Sequence, residues 1–310
     1  MNGTFTLTRG VYPTMITPYN RDGSIDHGAA EAIVDWYAAN GCKGVFAVCQ
    51  SSEMAFLSFD ERVRLAETVA RAAKGKLAVV ASGHISDSMT EQIREANAIA
   101  ATGVDAFVAV SNRFDLHNDG DDTFLRNAET FLNGVDPAVP LGIYECPRPY
   151  KRLLTPRILD YCAATKRFVF IKDTCCDPVM LTDRLHRLDG TGVGLFNANE
   201  QTLLHSLQYG AAGYSGIMAN FHPELLAWLC ENYASQPQKA KKLSDLLSMI
   251  AFTEAATYPC TAKRAMNDYA GIRMEIAARS ADSKLFTPYW ELIVRQMHDA
   301  QTLIHELLEI

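Results

Sequence analysis

No stretch of this 310-residue chain approaches the ~18 consecutive apolar residues that a membrane span requires. Basic side chains are in deficit, 29 lysines and arginines facing 36 aspartates and glutamates, for a formal charge of −7. A chain without a basic excess has nothing to neutralise a run of phosphates, which argues against nucleic acid or an anionic membrane as partner. Lys151 and Arg152 are too few to make a basic patch. None of the eight cysteines falls in a CxxC pair, so the spacing of a structural zinc site is missing. The first nine residues hold no signal-peptide core, so the thiols are expected to be reduced, in a cytoplasm. Neither a GxGxxG nor a phosphate loop occurs, and no Gly/Ser/Pro-rich linker divides the chain.

What is present is alternation. Short apolar runs that read as strands occur at 11–17, 44–49, 77–81, 106–110, 141–144, 168–171, 193–196 and 213–217. Each is followed by a helix-period pattern. Asp26 caps a helix with Ala30, Ile33, Val34 and Tyr37 on one face. Ser58 with Glu61 and Ser88 with Glu91 have capping-box spacing, and Thr155-Pro156 and Asp177-Pro178 open two further helices. Eight strand–helix units within residues 1–232 fit an α/β fold of the (β/α)8 TIM-barrel type. Residues 233–310 carry helical patterns only and are expected to form a C-terminal extension packed on the barrel. The competing doubly wound sheet lacks its usual glycine-rich signature here.

Lys172 ends the apolar run Phe168-Val169-Phe170-Ile171. An ammonium buried at a strand end costs several kcal/mol unless it is paired or gives up its proton. The residue is therefore a surface-reaching lysine, an ion-pair member with Asp173, or a neutral amine able to act as a nucleophile. In a barrel, chemistry sits at the C-terminal strand ends. Reading those ends places Thr17, the 50–53 loop, Ser82, His84, Asn112, Tyr144, Asn197 and Ser215 around the same mouth as Lys172. A tyrosine one strand from an amine can move the protons that imine chemistry requires, although a tyrosine there can equally be a core residue. Ser51 and Ser52 offer hydroxyls and N–H groups for a carboxylate at the start of the next helix, where the dipole favours an anion. His84, His117, His205 and His222 are scattered rather than spaced as ligands, so no metal is expected.

These strand ends resemble the dihydrodipicolinate synthase/N-acetylneuraminate lyase family of class I pyruvate-dependent aldolases over essentially the whole chain. Residues 10–18 resemble the family's first strand and 58–62 its LSxEER helix start. Tyr144-Glu145-Cys146-Pro147 resembles YNxP, Ile171-Lys172-Asp173 the lysine strand, and 213–220 the glycine-rich eighth strand. The resemblance implies that Lys172 forms a Schiff base with pyruvate or a longer 2-oxo acid and that Tyr144 shuttles protons. It further implies that Ser51 holds the carboxylate and Ser215 lies near the adduct, in a homotetramer built as a dimer of dimers, with no cofactor.

The chain also departs from the pattern. The family's GTTGE loop reads Cys49-Gln50-Ser51-Ser52-Glu53, making Gln50 and Ser52 candidate substrate contacts. Phe114 stands where synthases have an interface tyrosine, so their tyrosine–threonine–tyrosine relay is not expected. Arg148 lies one residue before the family's arginine and is the candidate anion contact. The expectation is a lyase (aldolase, synthase or dehydratase type) that is not a true dihydrodipicolinate synthase. The alternative is a catalytically impaired paralogue that binds keto acids.

Overall fold

Strands β1 (Gly10–Val11), β2 (Gly44–Ala47), β3 (Ala78–Ala81), β4 (Ala106–Val110), β5 (Leu141–Tyr144), β6 (Phe168–Asp173), β7 (Gly194–Asn197) and β8 (Gly213–Tyr214) form one parallel sheet. This computed structural model describes residues 7–253 and 257–310. The first six residues, on which the reading of a missing signal core partly rests, lie outside that range. The ladder runs β1-β8-β7-β6-β5-β4-β3-β2. It closes through the parallel bridge Thr14↔Phe46, where Phe46 N donates to Pro13 O at 2.9 Å and Met15 N to Phe46 O at 3.0 Å. The fold is a (β/α)8 barrel. Strand β1 is shorter than the 11–17 apolar run because Pro13 has no N–H to give a ladder.

Between the strands lie α1 (His27–Ala39), α2 (Phe59–Ala73), α3 (Met89–Ala100), α4 (Asp121–Gly134), α5 (Pro156–Thr165), α6 (Pro178–Leu188) and α7 (Leu203–Gln208), with α8 (Pro223–Asn232) after β8. Helices α9 (Pro237–Ile250), α10 (Cys260–Tyr269) and α11 (Pro288–Leu308) follow. The expected caps form at Asp26, which accepts from Ala29 N, at Thr155, at Asp177, and in the Ser58–Glu61 capping box. The second capping box does not form. Ser88 caps nothing with its side chain, because Glu91 is drawn to Arg94 at 2.8 Å. Among the described residues no helix is long and apolar enough to cross a membrane.

The barrel interior is an aromatic stack. Tyr12 meets the Phe196 ring at 4.7 Å, Phe196 stacks on Phe170 at 4.7 Å, and Phe170 meets Phe46 edge-on at 5.8 Å. Gly44 is required there, since a Cβ on it would fall 2.0 Å from the Tyr12 ring. This layer fills the barrel below the strand ends and forms the floor beneath Lys172.

His84, at the end of β3, is a core histidine. Its Nε2 accepts the Val110 N–H at 2.6 Å and its Nδ1 donates to Gln92 Oε1 at 3.1 Å, fixing the neutral tautomer. Burial pushes its pKa down to about 3. Because this folded value lies below the unfolded ~6.5, the stability that neutral His84 brings is complete above about pH 6.5 and is lost as pH falls toward 3. Unfolding free energy is expected to drop by roughly 1.4 kcal/mol per pH unit across that window from this residue. Denaturant titrations at several pH values check this: His84→Asn should start lower at pH 7 but lose less on acidification than the parent.

Candidate active site

The pleat of β6 turns Phe170 and Lys172 to the barrel axis, and Ile171 and Asp173 to the helix layer. On β5 the same alternation turns Tyr144 inward and Glu145 outward. Ladder register pairs Tyr144 directly with Lys172. Lys172 Nζ lies 4.3 Å from the centre of the Tyr144 ring and 5.7 Å from that of Phe46, and Tyr144 packs edge-on to Phe46 at 5.6 Å. Only 4% of Lys172 and 3% of Tyr144 are exposed, so this lysine does not reach into solvent. Burial first, then the neighbouring Cys146 and Cys49, push the Tyr144 phenol well above its ordinary value. The phenol is thus kept as a proton donor at neutral pH.

Asp173 does not pair with Lys172. It is bound by Arg184 of α6, which also meets Glu145 at 2.8 Å and the Leu154 carbonyl at 2.8 Å. All three charged residues are buried. Glu145 also accepts the N–H groups of Leu154 at 2.7 Å and Thr174 at 2.9 Å. The two residues that follow Tyr144 and Lys172 are therefore clamped by one guanidinium behind the barrel wall. Burial and the adjacent Asp173 raise the Glu145 pKa against the pull of Arg184.

The 49–53 loop closes the β2 side. It begins at Val48, whose φ of +48° is a strained conformation for a β-branched residue, of the kind functional loops store. Ser51 Oγ donates to Thr14 Oγ1 at 3.1 Å, within reach of the mouth. The Ser52 hydroxyl turns the other way, donating to Met15 O at 2.6 Å and accepting from Cys49 N at 3.2 Å. Ser52 thus shapes the loop rather than offering a hydroxyl. The helix-dipole expectation is corrected as well. A three-residue 3-10 turn (Met54–Phe56) follows the loop, and the N-terminus of α2 is already closed by its own capping box. Gln50 reaches across the mouth, its Oε1 accepting from Cys146 Sγ at 3.0 Å. Ser215 Oγ is buried, and among the described residues nothing hydrogen-bonds it.

The structure puts the Arg148 side chain in solvent and the Phe114 ring in the core. Arg148 is exposed on the 146–150 loop, and its carbonyl, not its guanidinium, is held, by Asn112 Nδ2 at 2.9 Å. Phe114 faces its own core, against Phe131 at 5.1 Å and Phe124 at 5.4 Å. Reasoning from residue types did not single out Cys146, Arg184 or the clamping role of Asn112. Asn112 Nδ2 also binds the carbonyls of Cys146 at 3.1 Å and Tyr150 at 2.7 Å, fixing the loop after β5.

A barrel with a lysine one residue from the end of β6 beside a tyrosine ending β5 has the architecture of the class I aldolases and lyases. The chain belongs to the dihydrodipicolinate synthetase family, whose profile matches residues 7–281. It is 25% identical over 284 residues to a 4-hydroxy-tetrahydrodipicolinate synthase of Pseudoalteromonas atlantica, covering 89% of this chain and 94% of that protein. In fold it is similar to YagE of E. coli K12, a family member solved in complex with pyruvate (TM-score 0.85, 19% identity, 96% and 99% of the two chains). It is likewise similar to the sialic acid aldolase of Ruminococcus gnavus (TM-score 0.82, 19% identity, 96% and 99% of the two chains).

Proposed function

We propose that the protein is a Schiff-base lyase acting on pyruvate or a longer 2-oxo acid. The observation that carries this reading is the buried juxtaposition of the Lys172 amine with the Tyr144 ring at 4.3 Å, on adjacent strand ends in register. Lys172 Nζ attacks C2 of the keto acid. Tyr144 gives its proton to the resulting hydroxyl, the C2–O bond breaks, and water leaves an iminium. Loss of a C3 proton to the phenolate then yields an enamine and restores the phenol. From the enamine, condensation, cleavage and dehydration are all reachable. The Ser51 hydroxyl, now on Thr14, is placed to turn to the substrate carboxylate, and the buried Ser215 hydroxyl has a hydrogen bond to give the adduct. Gln50, Ser52 and Phe114 depart from the synthase pattern, which supports a second substrate other than the one synthases use. Arg148 remains a candidate contact for a substrate anion only if its exposed side chain folds inward.

The first half-reaction tests this without knowledge of the second substrate. In D2O, wild-type protein is expected to exchange the C3 protons of pyruvate or another 2-oxo acid for deuterium, read by proton NMR. Tyr144→Phe should slow exchange about 10²–10⁴-fold. A protein that binds pyruvate yet exchanges nothing with any 2-oxo acid is the keto-acid-binding paralogue, and the lyase reading fails.

A further inference from the structure

The turn that carries Gln50 and Ser51 is closed by a residue that the proposed chemistry does not use. Glu53 N donates to Gln50 O at 2.9 Å and Met54 N to Cys49 O at 3.2 Å, so the backbone of Glu53 sets the shape of that turn. Ser51 and Ser52 are held by the barrel itself, through Thr14 Oγ1 and Met15 O, and Thr17 Oγ1 donates to Ser52 O at 2.6 Å. Glu53 is held from elsewhere. Its φ of +60° is uncommon for a residue with a side chain and persists only where the surroundings fix it. Those surroundings grip its carboxylate, which is buried. Oε1 accepts the N–H groups of Arg279 and Ser280, each at 2.7 Å. Oε2 lies 3.8 Å from Nζ of Lys263 on α10, a fully buried lysine that donates to Ala277 O. Arg279 also reaches past the turn, donating to Phe56 O at 3.1 Å and to the two oxygens of Glu61 at 2.7 and 2.9 Å. Both cations lie against the Tyr19 ring, Lys263 at 4.3 Å and Arg279 at 4.9 Å.

We propose that Glu53 is a positioning residue for keto-acid binding: through its carboxylate, the segment 277–280 holds the Gln50–Ser51 turn in the shape that receives the substrate carboxylate. The inference rests on the Schiff-base reading and deepens it, bringing the C-terminal extension into the support of the substrate site. Hydrogen bonds to an ionised carboxylate are strong and directional. Here two donors on adjacent residues converge on one oxygen, so the carboxylate cannot shift without stranding both. Once it is removed, the backbone at residue 53 is free to leave the left-handed region and the turn samples other shapes. Substrate must then select the competent one, and the apparent affinity falls by the fraction of time the turn spends in it. The chemistry does not fall with it. Lys172 and Tyr144 stand on β6 and β5, whose ends are held by the Arg184 clamp and not by Glu53. Loosening the turn therefore weakens ground-state and transition-state binding alike, which raises KM and leaves the saturated rate in place.

The bland account is that this cluster only fastens the extension to the barrel. Glu53→Ala, Glu53→Gln and Lys263→Met separate the two, with circular dichroism confirming the fold. Two readouts are taken: C3 deuterium exchange against pyruvate concentration, which gives KM and the saturated rate, and the pyruvate dissociation constant by calorimetry. Glu53→Ala is expected to raise KM at least about tenfold, with the saturated rate within about threefold of wild type. Glu53→Gln, whose amide oxygen still accepts the Arg279 and Ser280 N–H groups, is expected to keep KM within about threefold. Lys263→Met frees Ala277 O while leaving Glu53 in place, and is expected to raise KM about fivefold. It carries the test should Glu53→Ala not fold. Unchanged KM in the folded alanine variant, or in Lys263→Met in its stead, overturns the proposal and leaves fastening only. So does a saturated rate that falls as far as KM rises, and so does a glutamine variant as weak as the alanine one. Wild-type protein that binds pyruvate yet exchanges nothing removes the Schiff-base reading alone. The dissociation constants then decide: about a tenfold rise in Glu53→Ala upholds the role of Glu53, and no change overturns it. Wild-type protein that binds neither pyruvate nor any longer 2-oxo acid removes both.

Discussion

Lys172→Met is expected to abolish deuterium exchange at C3 of a 2-oxo acid, a fall of at least about 10⁴-fold, while leaving the barrel folded. Methionine matches the length of the lysine stem, so the stem's volume is kept while the Nζ that lies over the Phe46 and Tyr144 rings, the nucleophile, is lost. Removing a polar group from a site that is 4% exposed is not expected to cost stability, and the thermal midpoint should stay level or rise. That combination, no imine chemistry in an equally stable protein, distinguishes a reacting amine from a structural one. A structural lysine would show the reverse: a marked loss of stability with exchange preserved in whatever remains folded.

Arg184→Leu is expected to be among the most destabilising single changes in the chain, at about 3–5 kcal/mol by denaturant unfolding. Arg184 stands between two fully buried carboxylates, Glu145 and Asp173. Without it they are left facing one another in a low dielectric, and one must take up a proton. The loss should therefore be largest at neutral pH and smaller toward pH 5. The clamp also reaches the chemistry, because Glu145 and Asp173 directly follow Tyr144 and Lys172. A partial rescue, Arg184→Leu with Glu145→Gln and Asp173→Asn, should recover part of the stability by removing the uncompensated charge. If Arg184→Leu costs less than about 1 kcal/mol, the clamp does not hold the two strand ends together.

The central pair was legible because two local rules converge on it. Strand ends in a barrel point to one mouth, and the run before Lys172 is apolar enough to bury it. Helix starts were legible wherever the cap is local, as at Asp26, Ser58, Thr155 and Asp177. Ser88 failed because its would-be partner Glu91 had a better one, Arg94, one helical turn on. What was not legible depends on contacts across layers. Nothing about Arg184 announces that it reaches back eleven residues to Asp173 and across to Glu145. Gln92 and Glu95 are polar residues of α3, yet both are buried, one on His84 and the other on Arg62 at 2.6 Å. Phe114 was read only as the residue that stands where synthases have an interface tyrosine, and that its ring packs inward against Phe124 and Phe131 depends on contacts with the following helix. The 49–53 loop was read as lying at the start of the next helix, whereas the chain makes a single 3-10 turn first and α2 begins only at Phe59.

The account stands on Lys172 as the residue that bonds to substrate. The protein is incubated with pyruvate, and in parallel with longer 2-oxo acids, reduced with borohydride, digested and mapped by mass spectrometry. The predicted result is a single reduced adduct on the peptide carrying Lys172, formed only when the keto acid is present. An adduct on another lysine, or none with any 2-oxo acid that the protein demonstrably binds, contradicts it.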